Sequence, residues 1–403
     1  LAKSDIFATL KNHQKNEHNN MISLAIKMLT GNRATCLGLI FGIFLATLLI
    51  AQQSAIFLGL VSRSYRMVTD ISIPDIWVVD PATASDDRVR PIPEGLLDVV
   101  RSVPGVKWAV PIDRANLPLV TQSGVFQVCD LFGVDDVTLI GAPRNMIAGS
   151  ITDLRREGGV IVDVYSARGL LAKTQPNGTK VPLKIGDELE INSRRAVVVG
   201  LCKITQGFYP QPIIFTSYSQ FKLFNPTSKN FFSFIAAKSV PDVNINKLLQ
   251  DIKGHSGLNA MTREQFIWTI IDSFLATGIL INFGLTVALG FIIGISITGQ
   301  IFYVMTLENL SYYALIKAIG GTHMMILKMI TAQALLVGIV GFLLGIGTTL
   351  LWGWAIEDTS LAFLFPWQVL LFTGLVILVI CVMTAALSIR KVLTSDPKTL
   401  IGN

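Results

Sequence analysis

Four long apolar runs stand out along the chain, at residues 35–61, 274–307, 325–356 and 367–389. A helix needs about twenty apolar residues to cross a hydrocarbon core of roughly 30 Å, and each run reaches that length. The first is broken by Gln52, Gln53 and Ser54, and the third carries Lys328 near its start. Ahead of the first run, Met21, Leu24, Ala25, Met28 and Leu29 share one helical face while Ser23, Lys27 and Thr30 fall on the other. This predicts a short amphipathic helix in the membrane interface over residues 21–34, the other reading being a plain extension of the first span.

Residues 62–261 have the pattern of a soluble domain. Runs rich in β-branched and aromatic residues predict strands at 75–79, 106–110, 160–162, 196–201 and 231–237. Helical patterns at 95–103 and 245–252 are each followed by a turn and a further strand-like run. The expectation is two βαβ-like units, 75–110 and 231–261, flanking a strand-rich insertion with a turn at Ile185-Gly186-Asp187. Thr262 and Gln265 then form a Thr-x-x-Gln capping box, which predicts one helix over 262–307. Such a helix is about 65 Å long and would rise from the membrane as a stalk into the second span, with Asp272 at or above the headgroups.

Charge sets the orientation. Lys3, Lys11, Lys15, Lys27 and Arg33 precede the first span, and Arg390, Lys391 and Lys398 follow the fourth, whereas the turn at 357–366 carries Glu357 and Asp358 and no basic residue. Basic flanks favour the cytoplasm, so both termini are expected inside, residues 308–324 inside, and the large domain outside a bacterial inner membrane. Residues 1–20 are polar, with no apolar stretch of secretory length, and no cleavable targeting segment is expected in them. The composition agrees: 51% hydrophobic and only 15% charged, against about 25% charged in soluble domains. The net charge of +6 comes from residues beside apolar runs, which points to membrane lipid and not to nucleic acid.

No phosphate-binding loop, nucleophile elbow or metalloprotease motif occurs, so the chain is expected to be no enzyme and to bind no cofactor directly. His13, His18, His255 and His323 are scattered, and no metal is expected. Cys36 and Cys381 lie in apolar spans. Cys129 and Cys202 share the soluble domain, where an oxidising compartment would permit a disulfide between them. Small residues recur four apart at Gly38, Gly42 and Ala46, at Gly290 and Gly294, and at Gly341 and Gly345. Such rows let helices approach closely, within one subunit or against a second copy.

Between the second and third spans the chain reads from Glu308 and Leu310 through Ala314, Leu315, Ile316, Lys317 and Ala318 to Gly320 and Gly321. This resembles the cytoplasmic coupling helix of FtsX/MacB-like ABC permeases, in which an acidic residue precedes Leu-(Arg/Lys)-Ala-x-Gly. Ile316, Lys317, Ala318 and Gly320 match, and Tyr312 stands where the family usually has its acidic residue. The tail from Ile389 to Asp396-Pro397 resembles the family's terminal basic segment, and residues 24–33 resemble its interfacial helix. Within the family the likeness is closest to the DevC type, the permease of heterocyst glycolipid exporters, through Gly290 to Ile295 and Gln300 to Tyr303.

The resemblance implies a type VII ABC permease: four transmembrane helices and a two-part α+β periplasmic domain. It further implies a homodimer of permeases on two cytoplasmic ABC ATPase subunits that bind ATP-Mg, with an HlyD-like periplasmic adaptor and a TolC-like outer-membrane duct. The expected function is export of a lipid or other hydrophobic substrate. FtsX-like signalling to a cell-wall hydrolase and lipoprotein release are the alternatives.

Overall fold

A computed structural model describes residues 28–29, 31–71, 73–83, 89–174, 179–207, 209–309, 313, 322–356 and 361–394. The helices, in chain order, are α1 (Arg33–Ser64), α2 (Arg66–Asp70), α3 (Gly95–Ser102), α4 (Val164–Arg168), α5 (Tyr218–Phe224) and α6 (Ile245–Ser256). They continue with α7 (Arg263–Leu275), α8 (Ile279–Glu308), α9 (His323–Ala355) and α10 (Trp367–Thr394). The chain divides into a membrane unit, residues 1–59 and 280–403, and a soluble unit, residues 60–279.

In the membrane unit the four apolar runs form α1, α8, α9 and α10, each long and apolar enough to cross a bilayer. Leu39, Ile43, Ile50, Phe302, Ile330 and Ile380 are buried where the four pack together. Leu29, on the expected interfacial helix at 21–34, is buried in the same cluster. The remainder of that helix, residues 21–27 and 30, lies outside the described residues, as do 357–360 of the short turn and Asp396-Pro397 of the tail.

The strands of the soluble unit are β1 (Ile76–Val79), β2 (Ile92–Pro93), β3 (Val106–Thr121), β4 (Phe126–Val134), β5 (Met146–Gly149), β6 (Gly159–Asp163) and β7 (Lys173–Thr174). After them come β8 (Lys180–Val181), β9 (Glu188–Ile191), β10 (Arg194–Cys202), β11 (Ile213–Ser217), β12 (Phe231–Phe232), β13 (Phe234–Ser239) and β14 (Asn259–Thr262). Both predicted βαβ units are present, in split form. In the order β14-β1-β13-β3 every neighbouring pair is antiparallel. β1 and β3 therefore run parallel with β13 between them and α3 as their connection. In the same way β13 and β14 flank β1 and are joined by α6.

Local chemistry places these helices. Asn244 opens α6 by accepting from the Lys247 amide, and Gly257 closes it at φ 70°, a left-handed position that glycine takes without steric cost. Leu248 and Ile252 of α6 pack with Val100 of α3 onto Ile76, Val78 and Ile235 of the sheet. On the other face Trp77 meets Phe234 edge-on at 6.1 Å and Phe266 of α7 at 5.5 Å.

The strand-rich insertion is a closed barrel. β3 is sixteen residues long; its first part pairs with β13 up to Ile112, and from Asp113 onward it pairs with β4. The ring continues β4-β11-β6-β10-β9, and β9 pairs back onto β3. Closure removes the free edges, and alternate residues point inward. Leu119, Leu131, Val162, Ile191, Val198 and Ile214 fill the interior.

One expectation is corrected and one open possibility is closed. The continuous helix over 262–307 does not form: the capping box at Thr262 and Gln265 opens α7, but α7 ends at Leu275 and α8 begins at Ile279. Thr277 Oγ1 donates to the Phe274 carbonyl at 2.6 Å, and Gly278 sits at φ 82°. A hydroxyl competing for a helix carbonyl and a left-handed glycine together stop the helix. Nor are Cys129 and Cys202 bonded; both are free and buried. Cys129 faces the barrel interior with Leu131, whereas Cys202 faces the outer core with Ile213 and Phe215. Two strands, β11 and β6, lie between their strands, a separation of roughly 14 Å at the usual strand spacing and beyond the reach of a disulfide.

Candidate functional site

The segment read as a coupling helix is anchored at both ends. At its start Glu308, the last residue of α8, accepts a 3.2 Å hydrogen bond from Asn32 Nδ2. Asn309 stays in register with α8 through its amide and its side-chain nitrogen, both donated to the Met305 carbonyl. Tyr313 then enters the core of the membrane unit, 1% exposed, with its hydroxyl 3.4 Å from Gln333 Oε1 of α9. At the far end Thr322 caps α9 by accepting from the Met325 amide. Leu310, Tyr312, Ala314, Leu315, Lys317, Ala318, Gly320 and Gly321 lie outside the described residues.

The glycine rows pack within this chain. A Cβ at Gly38 would lie 3.2 Å from Ile301 of α8, and one at Gly42 would lie 3.0 Å from Ile297 and Thr298. Gly290 meets Ile50, and Gly294 meets Ala46, 2.7 Å from where its Cβ would stand. Gly341 and Gly345 of α9 face Ile43 and Thr47 of α1 at 2.8 and 2.5 Å. These are approaches that a side chain would prevent, and they hold α1 against both α8 and α9.

The soluble unit carries a second constellation where β3 passes from the open sheet to the barrel. Asp130 accepts from Arg66 Nη2 at 2.6 Å and from Arg114 Nε and Nη2 at 2.8 and 2.9 Å. Both guanidinium groups also lie over the Phe132 ring, at 5.6 and 5.5 Å. Arg66 belongs to α2, so this pair ties that short helix to the barrel within the soluble unit. Next to it Asp113 pairs with Lys222 Nζ at 2.8 Å and accepts from the Ser233 amide at 3.1 Å.

Burial sets the two carboxylates apart. For Asp130 burial favours the neutral acid, but Arg114 and Arg66 outweigh it and hold the carboxyl below its ordinary range. Asp113 has one counter-charge only, and burial pushes it up to about 6 despite Lys222. The cluster sets three cations, Arg66, Arg114 and Lys222, against two carboxylates, Asp113 and Asp130. A cleft of about 270 Å³ lies beside it, lined by Pro91, Arg114, Asn116, Thr227, Ser228 and Phe231. Among the described residues no cluster of His, Cys, Asp or Glu is arranged to hold a metal ion.

Sequence reading missed this constellation and the Tyr313 anchor. Asp130 lies between Cys129 and Leu131, a charge in a buried strand, and Gln333 is a buried amide within a predominantly apolar span. Either anomaly marks a required partner, since buried charges and amides persist where they are paired. The partners themselves, 64 residues away for Arg66 and 20 for Tyr313, have no local signature.

Residues 34–255 match the family described as MacB-like periplasmic core domain, and residues 284–397 match FtsX-like permease C-terminal. No curated protein matches. Among solved structures, the periplasmic region of MacB from Actinobacillus actinomycetemcomitans is similar at 17% identity and TM-score 0.37, covering 50% of this chain and 95% of that one. The extracellular domain of the noncanonic ABC-type transporter YknZ from Gram-positive bacteria is similar at 12% identity and TM-score 0.33, covering 47% and 98%. A domain of a permease protein from Porphyromonas gingivalis is similar at 13% identity and TM-score 0.30, covering 47% and 86%. The first match alone spans more than half of the chain and the two together take in all four spans and most of the soluble unit, so the chain belongs to the FtsX/MacB family of ABC-transporter permeases, multi-pass inner-membrane proteins with a periplasmic domain.

Proposed function

We propose that this chain is the membrane subunit of an exporter driven by a separate cytoplasmic ATPase, and that residues 308–321 form the helix through which the two communicate. ATP-Mg binds the partner, and closure of two ATPase subunits draws together the coupling segments of two permease copies. The motion passes along the membrane helices to the periplasmic domain, where an HlyD-like adaptor and a TolC-like duct receive a lipid or other hydrophobic substrate. Both termini and the coupling segment are cytoplasmic in this arrangement.

The observation that carries the reading is the matched FtsX-like region, residues 284–397, which brackets the segment whose ends are fixed by Asn32, Tyr313 and Thr322. Within it Leu310, Ala314 and Ala318 recur four apart, the spacing of anchors on a helix seated in a partner's groove. The test is Ala318→Glu. A buried contact cannot take an unpaired charge without a penalty of about 3–5 kcal/mol, so the variant should reach the membrane folded but lose co-purification with the ATPase. A variant that assembles and transports like the parent would refute the coupling role.

A further inference from the structure

Near the C-terminal end of α1 and the N-terminal ends of α8 and α10, these three helices leave between them a cleft of about 370 Å³. That volume falls within the range, about 300–1,000 Å³, in which proteins hold small ligands. Its walls are apolar and aromatic: Phe57 and Leu58 of α1, Phe283 and Val287 of α8, and Phe372 of α10. Phe57 and Phe283 pack ring to ring at 5.6 Å. Three neutral polar side chains, Gln53, Ser54 and Gln368, converge on it, and among the described residues none that lines it is charged.

The depth of the cleft is unusual for such a lining. Gln53 lies twenty residues beyond Arg33, about 30 Å along the helix and therefore one hydrocarbon thickness from the cytoplasmic side. Packing fixes the levels of the other helices, since Ala46, Gly294 and Ile380 meet. Eight residues outward from each are Ser54, Thr286 and Phe372, which stand together at the hydrocarbon boundary. Phe57, Phe283 and Gln368 lie about one turn further out, level with the headgroups, where Trp367 is 68% exposed and marks the interface. The cleft thus extends apolar surface into the layer that lipids fill with polar groups. Among the described residues the side chains of Gln53, Ser54 and Gln368 find no hydrogen-bond partner.

We infer that this cleft takes an acyl chain of an outer-leaflet lipid, lifted to headgroup level, with the neutral oxygen of its ester, amide or hydroxyl linkage received by Gln53, Ser54 and Gln368. Bilayer immersion supplies the ligand, and the neutral amides and hydroxyl suit a carbonyl and not an ionic headgroup. This assignment names a substrate class and rests on the exporter reading.

The test is photolabelling of the full chain in nanodiscs of phosphatidylcholine doped with a phosphatidylcholine that carries a diazirine on one acyl chain, with adducts mapped by mass spectrometry. Labelling of Phe57, Phe283 and Phe372 should exceed that of Leu343, an exposed bilayer-facing residue of α9, by at least fivefold. Gly284 borders the cleft, and a Cβ added there would meet nothing within 4 Å, so Gly284→Trp can project its ring into the cleft from an unstrained backbone position. It should return cleft labelling to the Leu343 level and leave Leu343 unchanged. Labelling no greater than at Leu343, labelling indifferent to Gly284→Trp, or cross-links between two copies in place of lipid would overturn the site. None of these outcomes needs the ATPase, so they bear on the cleft alone. Labelling that persists unchanged when the complex with its ATPase turns over ATP would instead remove the cleft from the transport cycle.

Discussion

Replacing Asp130 with alanine tests whether the ion cluster holds the periplasmic domain together. Its carboxylate is 3% exposed and is shared by two guanidinium groups, themselves 6% and 14% exposed. The substitution takes away the one negative charge between two desolvated cations, a loss of about 3–5 kcal/mol. At about 1.4 kcal/mol for each factor of ten, amide hydrogen exchange in β3 and β4 should accelerate by roughly two to three and a half orders of magnitude. The measurement is hydrogen exchange of the full chain in detergent, read on peptides from residues 106–134. The effect has a defined pH sign. Asp130 has a folded pKa below its unfolded value, so its stabilisation is complete above the ordinary carboxylate range and disappears as pH falls through the folded value. Parent and variant should therefore converge on acidification. Acceleration under fivefold at pH 7, or a gap that widens in acid, would refute the reasoning.

Asp113 should behave in the opposite sense. With its folded pKa raised to about 6, its contribution is present below about pH 4 and is lost as pH rises through 6. Asp113→Asn should flatten that part of the stability profile, and an unchanged slope would contradict the assignment. In the membrane unit, Gly345→Leu drives a side chain into Thr47, where even a Cβ would stand 2.5 Å away. It should lower thermal stability in detergent by about 1–3 kcal/mol, while Gly347→Ala, with open space around the glycine, should leave it within about 0.5 kcal/mol.

Much of this architecture is legible in the sequence because it rests on local signals. A bilayer imposes a length on each span, and α1, α8, α9 and α10 satisfy it without reference to one another. The split βαβ units announce themselves through a switch from period 2 to period 3.6, at Gly95 and again at Ile245. Barrel closure is different. It depends on the four residues of β9 pairing with β10 on one side and with β3, about seventy residues earlier, on the other, a relation no short window contains. The missed break at Thr277-Gly278 has another cause: the apolar pattern continues across it, and glycine is common within membrane helices, so hydropathy conceals the stop. At the coupling segment the motif locates the residues, but its anchors, Asn32 just ahead of α1 and Gln333 of α9, lie far off in the chain or in another helix.

The central proposal, that a separate ATPase subunit drives this permease, is tested most directly by photolabelling with azido-ATP. Labelling is carried out on the purified chain alone and on the complex isolated from membranes, with hydrolysis measured in parallel. The chain contains no phosphate-binding loop. The account predicts no specific label and no turnover for the chain alone, and label confined to a separate subunit in the complex. Specific labelling of this chain, with hydrolysis by a verified single-chain preparation, would contradict it.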